Sequence, residues 1–281
     1  MFNSTEILIE SFVEQLKKGY ERTYGGMHQN YGEIIVWAGR MATEIISSSD
    51  ALYHNVEHTI LVTLVGQEML RGKHIKEGKV TPIDWLHCVI SLVCHDIGYV
   101  KGVCKGDKVD EGIFATGVNG GTIKVEEGTT DASLTPYHVD RGKLFVEERF
   151  GGHIIIDSEI VKRNIEHTRF PVPKKGDNMD VHGYPALVRA SDLIGQMADP
   201  RYLQKISNLF YEFEETGANK MLGYRNPGDL RKQYPSFYWN AVHPFISDGL
   251  KYLQLTQNGK SYVAGLYSNV FAVEHERAPL K

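Results

Sequence analysis

One apolar segment, WLHCVISLVCHDIG at 85–98, constrains the fold of this chain more than any other part of it. It follows TPID at 81–84, which combines a hydroxyl cap, a proline where no amide hydrogen is needed, and an acid in the first turn. The segment is apolar almost all round and therefore predicts a helix buried in the core. It ends at Gly98. His95 and Asp96 stand near that end, and both are costly to bury unless something pairs with them.

The rest of the chain has mostly helical signals. Asn3, three residues before Glu6, resembles a capping box and begins an amphipathic stripe. Eight glycines fall between Gly98 and Gly128, and FATGVNGGTIKV predicts a β-hairpin near 112–127 that crosses one face like a lid. We therefore predict one all-α domain, 1–281, with a short β insertion. The further predicted helices cover 32–48, 56–71 (ending near Gly72), 136–150, 158–168, 184–197, 200–215 and 237–255.

Composition excludes several classes of protein. The net charge of −4 provides no basic footprint for nucleic acid. The first residues do not form a secretory signal, and no stretch approaches the ~18 apolar residues of a membrane span. The cysteines Cys88, Cys94 and Cys104 are odd in number and lack CxxC spacing, which is typical of reduced thiols. We expect a cytoplasmic protein that binds neither nucleic acid nor membrane.

Histidines and aspartates on the predicted helices are the candidates for chemistry. YHNVEH at 53–58 places two histidines four residues apart, on one face of a helical turn. Each later candidate also has an ordinary explanation. His138 can be a solvated first-turn residue, His167 can favour the negative end of its helix dipole, and Asp192 can pair with Arg189. The ordered set is more specific than any one member.

This ordered set resembles the HD superfamily of metal-dependent phosphohydrolases, whose signature is H…HD…D with optional further histidines for a second metal. YHNVEH also resembles the YHNxxH segment of the cyclic-nucleotide phosphodiesterases, which belong to that superfamily. HVDRGKLFV at 138–146 resembles a segment of related two-metal HD domains. The resemblance covers 53–196 and implies an HD-domain helical bundle, with 198–281 as a C-terminal helical part.

The resemblance implies a dinuclear metal site. One ion would be held by His58, His95, Asp96 and Asp192, and Asp96 would bridge to a second ion held also by His138 and His167. Imidazole and carboxylate ligands suit two divalent transition metal ions from among Mn, Fe, Co, Ni and Zn. Such a pair activates water for attack on phosphorus. Asp96 is thus a catalytic as well as a metal-binding residue.

The resemblance also suggests how a substrate is handled. His54 is the candidate general acid, since an imidazole can hold a proton near neutral pH and deliver it. Arg141, Arg169 and Lys101 are candidate phosphate-binding cations. The expected partner is a small phosphorylated substrate, possibly a nucleotide. YHNxxH favours a phosphodiester, but the region after Asp192 lacks the glutamine-and-phenylalanine purine clamp of the phosphodiesterases, so a monophosphate is an equal alternative.

Three other functions stay open at this point. The same six-ligand pattern resembles the di-iron site of myo-inositol oxygenase, so an HD-type di-iron oxygenase is the main alternative. HNVEH also fits H-x-x-E-H, the pattern of inverted zinc peptidases with Glu57 as base, although that leaves His95-Asp96 and the later ligands unexplained. The third is a non-catalytic sensor with a structural metal.

Overall fold

A computed structural model describes residues 3–173 and 181–276. Over these residues the chain is mostly α-helical, with one two-stranded antiparallel sheet, β1 (Ile113–Ala115) and β2 (Thr122–Lys124), which confirms the predicted all-α fold with a short hairpin. The α-helices are α1 (Ser4–Tyr24), α2 (Gln29–Ile46), α3 (Val56–Glu77), α4 (Pro82–Cys94), α5 (His138–Phe150), α6 (Ser158–Glu166), α7 (Gly183–Ala198), α8 (Tyr202–Glu215), α9 (Ala218–Leu222), α10 (Pro227–Phe237), α11 (His243–Leu253) and α12 (Gln257–His275).

Helix α3 lies at the centre of the molecule. It packs against α1, α4, α7, α11 and α12. Its residues Ile60 and Leu70 belong to the core cluster formed with the N-terminal helices and α4 to α6, whereas Val65 and Met69 belong to the cluster formed with α7 and the C-terminal helices. Because α3 is covered on both sides, both ends of the chain stabilise the element that carries His58.

Helix α4 begins as the sequence predicts. The Thr81 hydroxyl and the Asp84 carboxylate form a reciprocal capping box, and residues 85–94 are all buried. The α-helix ends at Cys94, with His95 as its C-cap, and a 3-10 turn at Ile97–Tyr99 follows. The helix therefore places His95 and Asp96 at a buried point where the backbone changes direction.

The predicted end of α3 near Gly72 was wrong, because the helix continues to Glu77. A β-carbon on Gly72 would lie 2.1 Å from the carbonyl oxygen of Tyr252 in α11. This glycine therefore permits close packing between two helices and does not end one. Gly78 ends the helix, in the left-handed conformation that glycine adopts readily (φ 65°).

The C-terminal part differs most from the sequence prediction. The single helix expected over 237–255 is divided into a π-helical turn, Tyr238–Val242, which directly follows α10, and α11, which covers His243–Leu253. Pro244 lies in the first turn of α11, and because proline has no amide hydrogen, it interrupts the regular α-helical hydrogen bonds. Helix α12, capped by Thr256, was not singled out in the sequence.

The predicted hairpin is confirmed, with Phe114 opposite Ile123 in its register. Asn119 and Gly120 both have positive φ, as a tight hairpin turn requires. The hairpin packs closely on α5, since a β-carbon on Gly117 would lie 2.3 Å from the carbonyl of Asp140. The insertion is thus held against the helix that begins at His138.

Two further observations concern the cysteines and the helix lengths. Cys88, Cys94 and Cys104 are all buried and unbridged, in agreement with the prediction of reduced thiols. Within residues 3–173 and 181–276, every helix is either too short or too polar to traverse a bilayer.

Candidate metal centre

Three neighbouring helices place the first four predicted ligands. His58 lies in the first turn of α3, whose cap is Asn55: its side-chain oxygen accepts hydrogen bonds from the amides of Glu57 (3.0 Å) and His58 (3.4 Å). His95 and Asp96 follow the last residue of α4, and Asp192 lies inside α7. Since α3, α4 and α7 pack against one another, the four side chains meet.

The side chains converge on one point. Nε2 of His58 lies 3.2 Å from Oδ2 of Asp96 and 3.4 Å from Oδ1 of Asp192. Nε2 of His95 lies 3.1 Å and 3.6 Å from the same two oxygens. Among the described residues, the ligand atoms of His58, His95 and Asp192 all lie within 4.8 Å of one another, as those around one metal ion must.

Hydrogen bonding fixes which nitrogen of His95 faces this point. Nδ1 of His95 lies 2.7 Å from the carbonyl oxygen of Leu92, which can only accept, so Nδ1 carries a hydrogen. Nε2 of His95, Nε2 of His58 and Oδ2 of Asp96 are buried, and their close contacts lack hydrogen-bond geometry. Buried polar atoms without partners are rare, and two imidazole nitrogens with carboxylate oxygens are a donor set that fits a divalent transition metal.

Electrostatics favours positive charge at the same point. Burial opposes ionisation, but the charges of Asp96 and Asp192 outweigh it and raise the pKa of His95 well above its usual range. Against the same effect of burial, the nearby histidines hold the pKa of Asp96 well below its ordinary value and lower that of Asp192 to about 2. The two carboxylates therefore require a counter-charge, which protons on the imidazoles or a metal ion can supply.

His138 lies beside this cluster. Its Nε2 is 4.0 Å from Oδ1 of Asp96, the carboxylate oxygen not shared by His58 and His95. Its Nδ1 lies 2.6 Å from the carbonyl oxygen of Thr135. Burial lowers the pKa of His138 and keeps the ring neutral, the form in which imidazole binds metals.

His167 caps the C-terminal end of α6 and is buried. Its Nδ1 lies 3.2 Å from the carbonyl oxygen of Arg163. Helix α6 packs against α4, α5 and α7, which carry or directly precede the predicted ligands His95, Asp96, His138 and Asp192. His95, His138 and His167 thus share one arrangement, in which Nδ1 faces a carbonyl oxygen one turn earlier, as is common for metal-binding histidines.

His54 forms a partly buried ion pair that the sequence did not predict. Its Nδ1 lies 2.6 Å from Oε2 of Glu212 in α8, while Oε1 of Glu212 accepts a hydrogen bond from the amide of Tyr53 (2.6 Å). Burial disfavours the charged imidazole, but the Glu212 carboxylate outweighs it and raises the pKa of His54 to about 9. The one feature of the sequence that could have drawn attention to Glu212 is its position as an acid among aromatic residues, in LFYEFEE at 209–215.

Tyr99 was also missed, although it is only three residues after Asp96. Its ring stacks on His54 on one side and on His138 on the other, each with ring centroids 4.5 Å apart. The ring is buried and separates the candidate proton donor from the candidate ligand of a second ion.

The prediction that Arg141 binds substrate was wrong. Its side chain is completely buried, and its guanidinium donates five hydrogen bonds: to the carbonyl oxygens of Gly98, Val100 and Ala115, and to both carboxylate oxygens of Asp107. A guanidinium has five N–H groups, so none is left for a phosphate. Arg141 instead holds the insertion against α5.

The other two predicted cations are partly exposed but engaged. Nζ of Lys101 donates to the carbonyl oxygen of Thr129 (2.6 Å). Arg169 forms ion pairs with Glu166 (2.6 Å) and Asp140 (2.9 Å). A phosphate would therefore have to compete with these acceptors, and substrate binding by Lys101 and Arg169 stays a prediction.

The geometry speaks against the zinc-peptidase alternative. Glu57, the base in that interpretation, forms ion pairs with Arg201 (2.5 Å) and Lys205 (2.9 Å) in and next to α8. His54 is paired with Glu212 and is not part of the metal-compatible group. His54 and Glu57, two of the three residues in the H-x-x-E-H pattern, therefore bind different partners outside the metal-compatible group.

The fold and this site together define an all-helical protein with a buried histidine–aspartate cluster whose geometry can hold a metal ion. Residues 2–276 match the Npun_R2479-like family, so the chain belongs to that family. A comparison with curated proteins gives no match.

Proposed function

We propose that the protein is a metal-dependent phosphohydrolase of the HD type, which cleaves a phosphodiester or phosphomonoester of a small, nucleotide-like substrate. The observation that carries the proposal is that the buried Nε2 atoms of His58 and His95, which form no hydrogen bond, converge on the carboxylates of Asp96 and Asp192. The same four residues carry the sequence resemblance to the H…HD…D signature, which supports the proposal.

The ligands divide into two groups in this proposal. His58, His95, Asp96 and Asp192 would hold the first ion. The second oxygen of Asp96 lies 4.0 Å from Nε2 of His138, and these two residues with His167 would hold the second ion. Divalent ions bound there would supply Lewis acidity toward phosphate oxygens and activate water.

His54 supplies the proton for the leaving oxygen. Since the pKa of His54 is raised to about 9, its ring is protonated at neutral pH. Glu212 holds Nδ1 and the neighbouring backbone amides, so Nε2 is the atom from which a proton can be delivered. The side chain is 17% exposed, so it can reach a bound substrate.

A metal-supplemented screen of phosphodiesters and phosphomonoesters tests this function. The wild-type protein is expected to hydrolyse at least one class, with His54→Ala keeping its metal but losing rate by about 10²–10⁴-fold, the usual contribution of a general acid. Glu57→Gln is the matched control in the same motif and should stay active. Oxygen consumption by the iron-loaded protein, with no phosphoester cleaved, would contradict the proposal in favour of the oxygenase.

A further inference from the structure

The turn after Asp96 is locked to the beginning of α5. A β-carbon on Gly98 would lie 1.9 Å from the carbonyl oxygen of His138 and 2.6 Å from the amide nitrogen of Gly142. The backbone of the turn therefore rests directly on the first turn of α5. Asp96 immediately precedes the turn Ile97–Tyr99, and His138 is the first residue of the helix. The separation of these two side chains depends on this junction.

Arg141 ties the two sides of the junction together. From α5, its Nε donates to the carbonyl oxygen of Gly98 (2.7 Å) and its Nη2 to that of Val100 (2.9 Å). These two carbonyls flank Tyr99, whose ring stacks on His138 at 4.5 Å between ring centroids. One guanidinium thus fixes the backbone on both sides of the residue that supports the His138 ring.

Asp107 holds the guanidinium in place. Its two carboxylate oxygens each lie 3.0 Å from Arg141, in a two-point contact. Asp107 also accepts hydrogen bonds from the amides of Gly102 (3.0 Å) and Ala115 (2.8 Å). A two-point contact between a guanidinium and a carboxylate fixes the relative orientation of the two groups.

From these contacts we infer that Arg141 is a positioning residue for the second metal ion: it sets the distance between Asp96 and His138 through the turn Ile97–Tyr99. The inference rests on the proposed function, since Arg141 would position two ligands of the second ion in that dinuclear site. It differs from the substrate-binding role predicted from the sequence, because Arg141 touches neither substrate nor metal.

Lysine cannot replace this arginine. An ammonium group is a compact point charge with three donors, whereas the guanidinium reaches four separate acceptor groups in one plane. Arg141→Lys keeps the charge opposite Asp107 but frees the carbonyls of the turn. The side chains of His58, His95 and Asp192, three of the four residues proposed for the first ion, make no contact with Arg141, so binding of the first ion should change less than binding of the second.

The test measures metal ions bound per folded chain, by elemental analysis after gel filtration and by titration calorimetry with Mn²⁺. Wild type and Arg149→Lys, a matched control near the exposed end of α5, are expected to bind two ions. Arg141→Lys and Asp107→Asn are expected to keep the first ion and bind the second about 10- to 100-fold more weakly, the usual effect of losing a supporting contact.

Two folded variants that bind both ions with wild-type affinity would overturn this inference and leave the proposed function standing. Variants that lose their fold also overturn it, because Arg141 would then serve stability alone. A wild-type protein that binds no metal, or one ion only, would refute the proposed dinuclear site itself.

Discussion

Nδ1 of His54 lies 2.6 Å from Oε2 of Glu212, although the two residues are 158 positions apart in the chain. Glu212 belongs to α8, outside the segment 53–196 over which the chain resembles HD-type hydrolases. The other oxygen of Glu212 binds the amides of Tyr53 and His54. The C-terminal helices therefore complete the site and fix the orientation of the candidate proton donor.

Glu212→Gln should shift the pH dependence of the hydrolase. The carboxylate raises the pKa of His54 to about 9, so wild-type His54 keeps its proton through neutral pH and loses it near pH 9. With glutamine the pKa falls, so the alkaline limb of the kcat profile should move to lower pH. The loss of rate relative to wild type should therefore grow as the pH rises from 6 to 8, where the variant loses the proton that wild-type His54 keeps. Assays from pH 5.5 to 9.5 test this.

Glu214→Gln, on the same helix, is the control for that profile. Its carboxylate bonds to Asn219 and makes no contact with His54. A Glu212→Gln profile that coincides with both the control and the wild type would exclude His54 as the proton donor.

The raised pKa of His54 also makes the free energy of unfolding depend on pH. The ion pair with Glu212 stabilises the fold fully below about pH 6.5, and this contribution is lost as the pH rises through about 9.

His87 should make the protein less stable in mild acid. It is buried in α4, and Nε2 accepts a hydrogen bond from the amide of Asp157 (2.9 Å). Burial lowers its pKa, so the folded protein resists protonation while the unfolded chain binds a proton near pH 6.5. Stability is therefore complete above pH 6.5 and falls as the pH drops below it.

Urea unfolding at pH 7.5 and pH 5.5 measures this effect. His87→Gln should be less stable than wild type at pH 7.5, because a buried hydrogen bond is lost, but its free energy of unfolding should fall less between the two pH values. Equal pH dependence in both proteins would show that His87 does not resist protonation in the folded state.

Gly72→Ala should destabilise the contact between α3 and α11. The added carbon would lie 2.1 Å from the backbone carbonyl of Tyr252, which cannot move without shifting a helix. We expect a loss of about 1–3 kcal/mol in the free energy of unfolding, as for other overpacked sites. Gly32→Ala in α2 is the control, because its new carbon would meet only the Tyr20 ring at 3.3 Å. Equal stability of both variants would contradict this account of the packing.

Local signals in the sequence predicted much of the fold. Thr81 and Asp84 cap α4 as expected, and Asn119-Gly120 forms the hairpin turn. These patterns are reliable because each depends on residues within a few positions of one another. The resemblance of His58, His95-Asp96 and Asp192 to the H…HD…D signature predicted that these side chains converge, and the structure brings them together.

Contacts between distant segments account for what the sequence could not predict. Gly72 looks like a helix end until the backbone of Tyr252 is placed against it. Arg141 looks like a free cation until Asp107 and three carbonyls surround it. Glu212 has no local feature that connects it with His54. In each case the residue that determines the role comes from another part of the chain, which only the tertiary fold brings into contact.

The most direct test of the central claim is the number of metal ions per chain, measured by elemental analysis of the purified wild type and Asp96→Ala after incubation with Mn²⁺, Fe²⁺ or Zn²⁺. Asp96 contributes to both halves of the proposed site, and Asp110→Ala, which changes an exposed aspartate, is the control. We predict two ions in the wild type and the control, and none in Asp96→Ala. A wild type without metal, or an Asp96→Ala variant that keeps both ions, would contradict the claim.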